Sequence, residues 1–113
     1  MLEAASGAEE EAACAKLTEL QLPARLMIDC GVGGAQVAPD AQTRAVSDVA
    51  SRIAAGSTHV CGVLLASFLV SGQQSIVGGN GHLIRGQSIT SACIDWGTTT
   101  DLLEALANAV KMR

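Results

Sequence analysis

Two short apolar runs and a third predicted strand, which occur among segments of helical periodicity, restrict the folds open to this chain. Residues 26–28 and 60–66 are apolar stretches of the kind found in strands buried on both faces of a sheet, and residues 88–92 predict a third strand. Strands that alternate with helices favour a parallel sheet with right-handed crossover connections. The predicted order is α-β-α-β-α-β-α, with residues assigned to three of its helices, and the fold class is α/β, with three parallel strands alternating with helices.

Helical segments are predicted over residues 7–20, 40–55 and 98–112. Apolar residues recur in them at helical spacing: Ala13, Leu17 and Leu20, then Val46, Val49 and Ile53, then Leu102, Leu103, Leu106 and Val110. Side chains that accept hydrogen bonds from free backbone amides mark the helix starts, namely Ser6 with Glu9, Asp40, and Thr98 with Asp101. Gly56 predicts a helix end, and the acidic run 9–11 is interpreted as a solvated first turn.

Long glycine-rich connections follow the first two predicted strands. Residues 31–39 and 71–86 lie at the carboxyl ends of those strands, where α/β folds build their sites. The run at 31–34 suggests a phosphate loop, but it lacks the third glycine of the dinucleotide fingerprint and the lysine of the P-loop. A flexible loop is the preferred interpretation. A small-molecule site built from residues 31–36 and 71–86 is an alternative.

Composition excludes several classes of function. The chain has 113 residues, of which 49% are hydrophobic and 2% aromatic, and its net charge is −4. It has enough apolar side chains for the core of one domain but lacks the basic and aromatic patches used in nucleic-acid binding. The apolar run at 60–70 is shorter than the roughly 20 residues that span a bilayer. The acidic N-terminus has no secretory signal pattern, so we expect a cytoplasmic protein that binds neither nucleic acid nor membrane.

Side chains that commonly bind metals are few and scattered. The four cysteines are Cys14, Cys30, Cys61 and Cys93. They show no CxxC spacing, which favours reduced, buried thiols over a zinc site. His59 and His82 have no Cys, Asp or Glu at ligand spacing, so they are interpreted as surface imidazoles.

Three ordered segments resemble a known enzyme family. Residues 22–30 (LPARLMIDC) resemble the segment that leads into its D-C/F-S-H-x-N-S-x-K motif. Residues 54–74 resemble the stretch with G-V-M-x-E-S-x-L-x-E-G-N-Q, and residues 86–96 (GQSITSACIDW) resemble Y-G-x-S-I-T-D-A-C-I-x-W. The family is type I 3-deoxy-D-arabino-heptulosonate-7-phosphate (DAHP) synthase. The resemblance covers about residues 12–113, including the final helix.

This resemblance implies a fold and a reaction. The family is a (β/α)8 TIM barrel, so the chain would correspond to its last three β/α units. Residues 1–113 would form one partial-barrel domain, with residues 1–6 as a flexible N-terminus. The family reaction joins phosphoenolpyruvate to erythrose 4-phosphate and releases phosphate, in the shikimate route to aromatic amino acids. A divalent metal such as manganese acts there as a Lewis acid, and Arg and Lys side chains hold the phosphates.

At the positions of the family's metal ligands this chain carries other residues. The metal-binding His of the family falls on Val32, its Glu on Ala66 and its Asp on Ser91. A hydrocarbon cannot bind a cation, and a serine hydroxyl is a poor substitute for a carboxylate. The resemblance therefore implies no catalytic residue, no metal site and no cofactor here. Arg25 and Ser88 match positions near the barrel mouth and are weak candidates for substrate binding.

The pattern predicts a truncated pseudoenzyme related to DAHP synthase, with enzyme activity left uncertain. A gene relic or an altered sequence would carry the same pattern. Three strands cannot close a barrel, so the inner sheet face, with Met27, Val63 and Leu65 as candidates, would lie bare. Burial of such aliphatic side chains favours association. We expect a homo-oligomer, or an interaction module that docks on a full-length barrel homologue.

Overall fold

A three-stranded parallel sheet lies at the centre of the fold. The computed structural model describes residues 2–3, 7–31, 39–77 and 80–113. The spatial order is β1 (Leu2–Glu3), β2 (Leu26–Asp29) and β3 (Val60–Leu64). Ile28 lies opposite Leu2 on one side and Val63 on the other. Strand β1 is an addition to the predicted elements, since it lies in the segment assigned to a flexible N-terminus.

Three α-helices accompany the sheet: α1 (Gly7–Glu19), α2 (Pro39–Ala54) and α3 (Trp96–Met112). Each agrees with its predicted segment to within two residues at either end. Helix α2 packs against α3. None of the helices in the described ranges is long and apolar enough to cross a membrane.

Two helices end in the same hydrogen-bonded turn. After α2, Gly56 adopts a left-handed φ of 111°, and the N–H of Ser57 donates to the carbonyl of Arg52 at 3.0 Å. This geometry confirms the predicted stop, because glycine adopts a positive φ without steric cost. After α1 the same position is held by Gln21 with a φ of 61°, which is unusual for a residue with a side chain.

The helix starts differ from the capping patterns predicted. Asp95 is the N-cap of α3, and its Oδ1 accepts a hydrogen bond from the N–H of Thr98 at 2.8 Å. The predicted cap at Thr98 therefore lies inside the helix. Helix α2 begins at Pro39, whose fixed φ and missing N–H suit the first turn, so Asp40 is not its N-cap. Ser6, the predicted cap of α1, lies outside the described residues.

The core is aliphatic, as composition predicts. Its most buried side chains are Ile28, Val46 and Val49, so the predicted stripe of α2 is confirmed. Around them pack Cys14, Leu26, Cys30, Ile53, Val60, Ile94, Leu102 and Ala109. The other predicted stripes are only partly buried: Leu20 is 57% exposed, Leu103 49% and Val110 47%.

Glu10 is buried, which corrects the interpretation of the acidic run as fully solvated. Its Oε2 lies 2.8 Å from Nε of Arg52, and its Oε1 accepts a hydrogen bond from the hydroxyl of Ser57 at 3.0 Å. A buried carboxylate needs a cationic or hydrogen-bonding partner. The pair therefore fixes α1 against the carboxyl end of α2.

The third strand, predicted over residues 88–92, is wrong in extent. Strand β5 (Gln87–Ser88) pairs in parallel with β4 (Val70–Gln73), and all of β4 except Val70 lies in the segment predicted as a loop. The hydroxyl of Ser88 accepts hydrogen bonds from the following turn, which bends the chain and ends the strand. A one-turn 3-10 helix, Asn80–His82, stands in this connection, and the described part of it holds no α-helix.

One face of the main sheet is partly bare. Met27 is 40% exposed and Leu64 39%, so the prediction of strands buried on both faces is wrong. Val63 and Leu65, named as candidates for the bare face, instead pack against the core. Side chains alternate between the two faces of a strand, and the pairing of Met27 with Gly62 sets which residues face the helices.

Candidate functional site

Three chain segments meet at the carboxyl edge of the main sheet. Gly31 follows β2, Ala66 follows β3, and Ile94 precedes α3. A Cβ on Gly31 would lie 3.1 Å from the Cβ of Ala66, and the N–H of Ile94 donates to the carbonyl of Ala66 at 3.0 Å. The segments that carry the three motifs are therefore adjacent at the edge where α/β proteins build their sites.

Gln42 lies in the first turn of α2 and hydrogen-bonds to two of these segments. Its Oε1 accepts a hydrogen bond from the N–H of Ala66 at 2.8 Å, and its Nε2 donates to the carbonyl of Ala66 at 2.9 Å. The same Nε2 lies 3.4 Å from the carbonyl of Ala92. Gln42 is only 3% exposed, so these bonds satisfy polar groups that water does not reach.

Sequence reasoning missed Gln42, although a signal was present. It lies four residues before Val46 and so extends the buried stripe of α2 backwards by one turn. A polar side chain on the buried stripe of a helix must find a hydrogen-bonding partner. That requirement singles out Gln42 as a residue that contacts another element.

Two of the three predicted ligand positions lie at this edge. Ala66 is at its centre, and Ser91 adjoins Ala92, with the Ser91 hydroxyl 3.6 Å from Sγ of Cys93. Val32 lies outside the described residues. Gln42 contacts Ala66 and also lies 3.4 Å from the carbonyl of Ala92, the residue after Ser91.

The donor atoms at this edge do not fit a divalent cation. Ala66 offers a methyl group, and the hydroxyl of Ser91 faces a thiol. The Oδ1 of Asp29 accepts a hydrogen bond from the N–H of Gly31 at 2.9 Å. Among the residues described, no three His, Cys, Asp or Glu are close enough together to hold a metal ion. Manganese and magnesium favour sets of carboxylate, carbonyl and water oxygens, so these side chains support no metal-dependent step.

Arg25 and Ser88 lie in different surroundings. Arg25 is exposed and comes immediately before β2, which puts it at the amino edge of the sheet, opposite Ala66. The expected position near the mouth is therefore not found for Arg25, because parallel strands share one direction. Ser88 is buried, and its hydroxyl accepts hydrogen bonds from the N–H groups of Thr90 at 3.2 Å and Ser91 at 3.1 Å.

A cleft of about 200 Å³ lies between the starts of α2 and α3. Its lining consists of Asp40, Thr43, Ser71, Ile94, Asp95 and Thr98. Hydrogen bonds from the backbone and side chain of Thr98 hold the pKa of Asp95 below its ordinary value. An ionised carboxylate repels phosphate groups, so the cleft is poorly suited to phosphorylated ligands.

The remaining candidate residues are separated from this edge or covered. Nδ1 of the half-buried His59 lies 3.3 Å from the carbonyl of Ala24, and His82 is exposed in the 3-10 turn. Three of the cysteines are buried as predicted, whereas Cys61 is exposed. Burial raises the pKa of the Cys14 and Cys30 thiols, with smaller contributions from nearby carboxylates. The loop site proposed from residues 31–36 lies, except for Gly31, outside the described residues.

Comparison with known proteins settles the origin of the scaffold. The sequence profile of the DAHP synthetase I family matches residues 5–104. The chain belongs to the DAHP synthetase I family. It is 42% identical over 102 residues to the Trp-sensitive phospho-2-dehydro-3-deoxyheptonate aldolase of Escherichia coli, a match that covers 90% of this chain and 29% of that protein.

Other members give the same result. The Phe-sensitive phospho-2-dehydro-3-deoxyheptonate aldolase of Escherichia coli is 42% identical over 97 residues, covering 86% of this chain and 27% of that protein. The structure of phospho-2-dehydro-3-deoxyheptonate aldolase from Francisella tularensis superimposes with a TM-score of 0.86 at 34% identity, over 96% of this chain and 31% of that one. The family resemblance is confirmed. The chain spans less than a third of the length of these relatives.

Proposed function

We propose that this chain is a catalytically silent member of the DAHP synthetase I family. The observation that carries the proposal is the environment of Ala66: its side chain has no donor atom, and Gln42 and Ile94 hold its backbone polar groups. In the family reaction, which joins phosphoenolpyruvate to erythrose 4-phosphate, the resemblance assigns a glutamate ligand to this position. The scaffold is retained here without that carboxylate.

The direct test is an assay of phosphate release with both substrates and Mn²⁺. We expect no metal-dependent phosphate release above the protein-free blank. A full-length family member serves as the positive control. Metal-dependent turnover by this chain would overturn the proposal.

A second test examines whether the site positions correspond to those of the family. The double variant Ala66→Glu with Ser91→Asp places two carboxylates at the carboxyl edge. We expect it to bind Mn²⁺ more tightly than the unmodified chain, by about tenfold or more, because carboxylate oxygens are ligands that Mn²⁺ favours. The matched control, Ala105→Glu with Ala107→Asp, adds the same charges to exposed positions of α3. Equal binding by both double variants would contradict the correspondence.

The bare sheet face supports a second candidate function, that of an interaction module. Met27 and Leu64 are each about two-fifths exposed on that face, and covering them removes apolar surface from water. The partner would be a second copy of the chain or a full-length barrel homologue. Light scattering tests self-association, and Met27→Lys is expected to dissociate the oligomer. Leu103→Lys, at an exposed position on α3, is the control. A monomer that binds no homologue would exclude this function.

A further inference from the structure

A cavity between β3 and the last turns of α3 lies apart from the carboxyl-edge site. Its lining consists of Ile53, Val60, Cys61, Gly62, Val63, Leu106, Val110 and Arg113. Ile53 and Val60 are 5% and 7% exposed, whereas Val110 is 47% exposed. One side of the cavity is therefore formed by the core, and the other is open to solvent. Val60 begins β3 and Ala66 follows its carboxyl end, so the two sites lie at opposite ends of the strand.

The size and the walls of this cavity suit a small aliphatic group. Five of its side chains are aliphatic: Ile53, Val60, Val63, Leu106 and Val110. Its volume is about 240 Å³. At roughly 30 Å³ for each water-sized group, that space holds a ligand of about eight non-hydrogen atoms. Mostly apolar walls with few polar groups are typical of small-molecule sites.

The one charged side chain in this lining, among the residues described, is that of Arg113. Its Nη1 donates to the carbonyl of Ser57 at 3.3 Å. The ion pairs found in the described ranges use Lys16, Arg44 and Arg52 and do not include Arg113. A guanidinium has five N–H donors, so Arg113 retains donors for a carboxylate, which it can bind through two parallel hydrogen bonds.

We propose that this cavity binds a small aliphatic monocarboxylate with a branched chain of about six carbons, the size that fills the volume. The hydrocarbon lies among the aliphatic side chains, and the carboxylate pairs with Arg113. Removal of the hydrocarbon from water supplies affinity, and the cation selects an acid over a neutral ligand of the same shape. The proposal goes beyond the proposed function, since it concerns neither the substituted ligand positions nor the bare sheet face.

The test uses 4-methylpentanoate and its neutral analogue 4-methylpentanamide with the full chain. Two-dimensional ¹H–¹⁵N NMR follows the backbone amides during titration. For a ligand of this size we expect the acid to bind with a Kd of about 1 to 10 mM. The amide is expected to bind about threefold more weakly, because it lacks the charge that pairs with Arg113. The largest shifts are expected at residues 60–63 and 106–110.

A pair of variants tests the charge. Arg113→Gln is expected to weaken binding of the acid by about threefold and to leave binding of the amide unchanged. Lys111→Gln removes the same charge from an exposed position of α3 outside the lining and should alter neither. Circular dichroism verifies that both variants are folded.

Three results would overturn the proposal. The first is the absence of saturable shifts from the acid at up to about 30 mM, well above the expected Kd. The second is shifts confined to residues outside the cavity. The third is equal effects of Arg113→Gln and Lys111→Gln on binding of the acid.

Discussion

The side-chain amide of Gln42 hydrogen-bonds both backbone polar groups of Ala66, with distances of 2.8 and 2.9 Å. A helix side chain thereby takes the role of a neighbouring strand at the point where β3 has ended. This arrangement gives both backbone polar groups of Ala66 a hydrogen-bonding partner at the carboxyl edge of the sheet.

Replacement of Gln42 tests this role. Gln42→Leu leaves the N–H and C=O of Ala66 without these partners, so we expect the free energy of unfolding to fall by about 1 to 3 kcal/mol. Urea denaturation measures the change. Ser47→Ala, at an exposed position of the same helix, is the control and should change stability little. A loss for Gln42→Leu no greater than that of the control would show that the amide is not needed.

The buried pair of Glu10 and Arg52 is expected to depend on both partners. Arg52→Met leaves the Glu10 carboxylate buried without its cation, which costs about 3 kcal/mol. The double variant Glu10→Met with Arg52→Met should recover most of this loss, since no buried charge remains. Denaturation of the single and double variants forms the double-mutant cycle. Additive losses would argue against a coupled pair.

The lowered pKa of Asp95 predicts that the stability of the folded chain depends on pH. Its pKa is held below the ordinary value in the folded chain by the hydrogen bond from the N–H of Thr98, with the Thr98 side chain adding to the effect. A depressed folded pKa contributes stability that is present above the unfolded pKa of about 4 and is lost as pH falls through the folded pKa. The melting temperature of Asp95→Asn, which cannot ionise, serves as the reference. The difference between the two proteins should shrink as pH falls from about 5, and a constant difference would contradict this account.

Gln21 after α1 and Gly56 after α2 both have a positive φ, so opposite substitutions at the two positions can be compared. Gln21→Gly should raise the free energy of unfolding by about 1 kcal/mol, because glycine adopts the positive φ without strain. Gly56→Ala should lower it, although a Cβ there would meet no neighbouring atom within 4 Å, so the cost comes from the backbone alone. Thermal unfolding measures both. Changes of the same sign would refute the assignment of these turns.

Thiol accessibility provides a test of the core. Cys61 is exposed, whereas Cys14, Cys30 and Cys93 are buried. Alkylation of the folded chain by iodoacetamide should modify Cys61 first, and Cys61→Ser should remove the rapid reaction. Peptide mass spectrometry identifies the modified residue. Rapid modification of Cys30 would be inconsistent with its place in the core.

The sequence by itself determined the family, the α/β class, the three helices and the first two long strands. Those features depend on local signals: helical spacing at Val46, Val49 and Ile53, apolar runs, and a glycine at the helix end. The substitution of ligand positions at Val32, Ala66 and Ser91 stays a prediction from the family resemblance.

Only the tertiary structure decided which polar groups, distant in the sequence, bind to one another. Glu10 is buried because Arg52 and Ser57, more than 40 residues away, surround its carboxylate. Ile94, rather than residues 88–92, pairs with Ser67 after the end of β3. The backbone bends at Ser88, and Gln42 hydrogen-bonds to Ala66. Local periodicity carries no information on such distant partners, because each is fixed by the packing of whole elements and by the requirement that every buried polar group be paired.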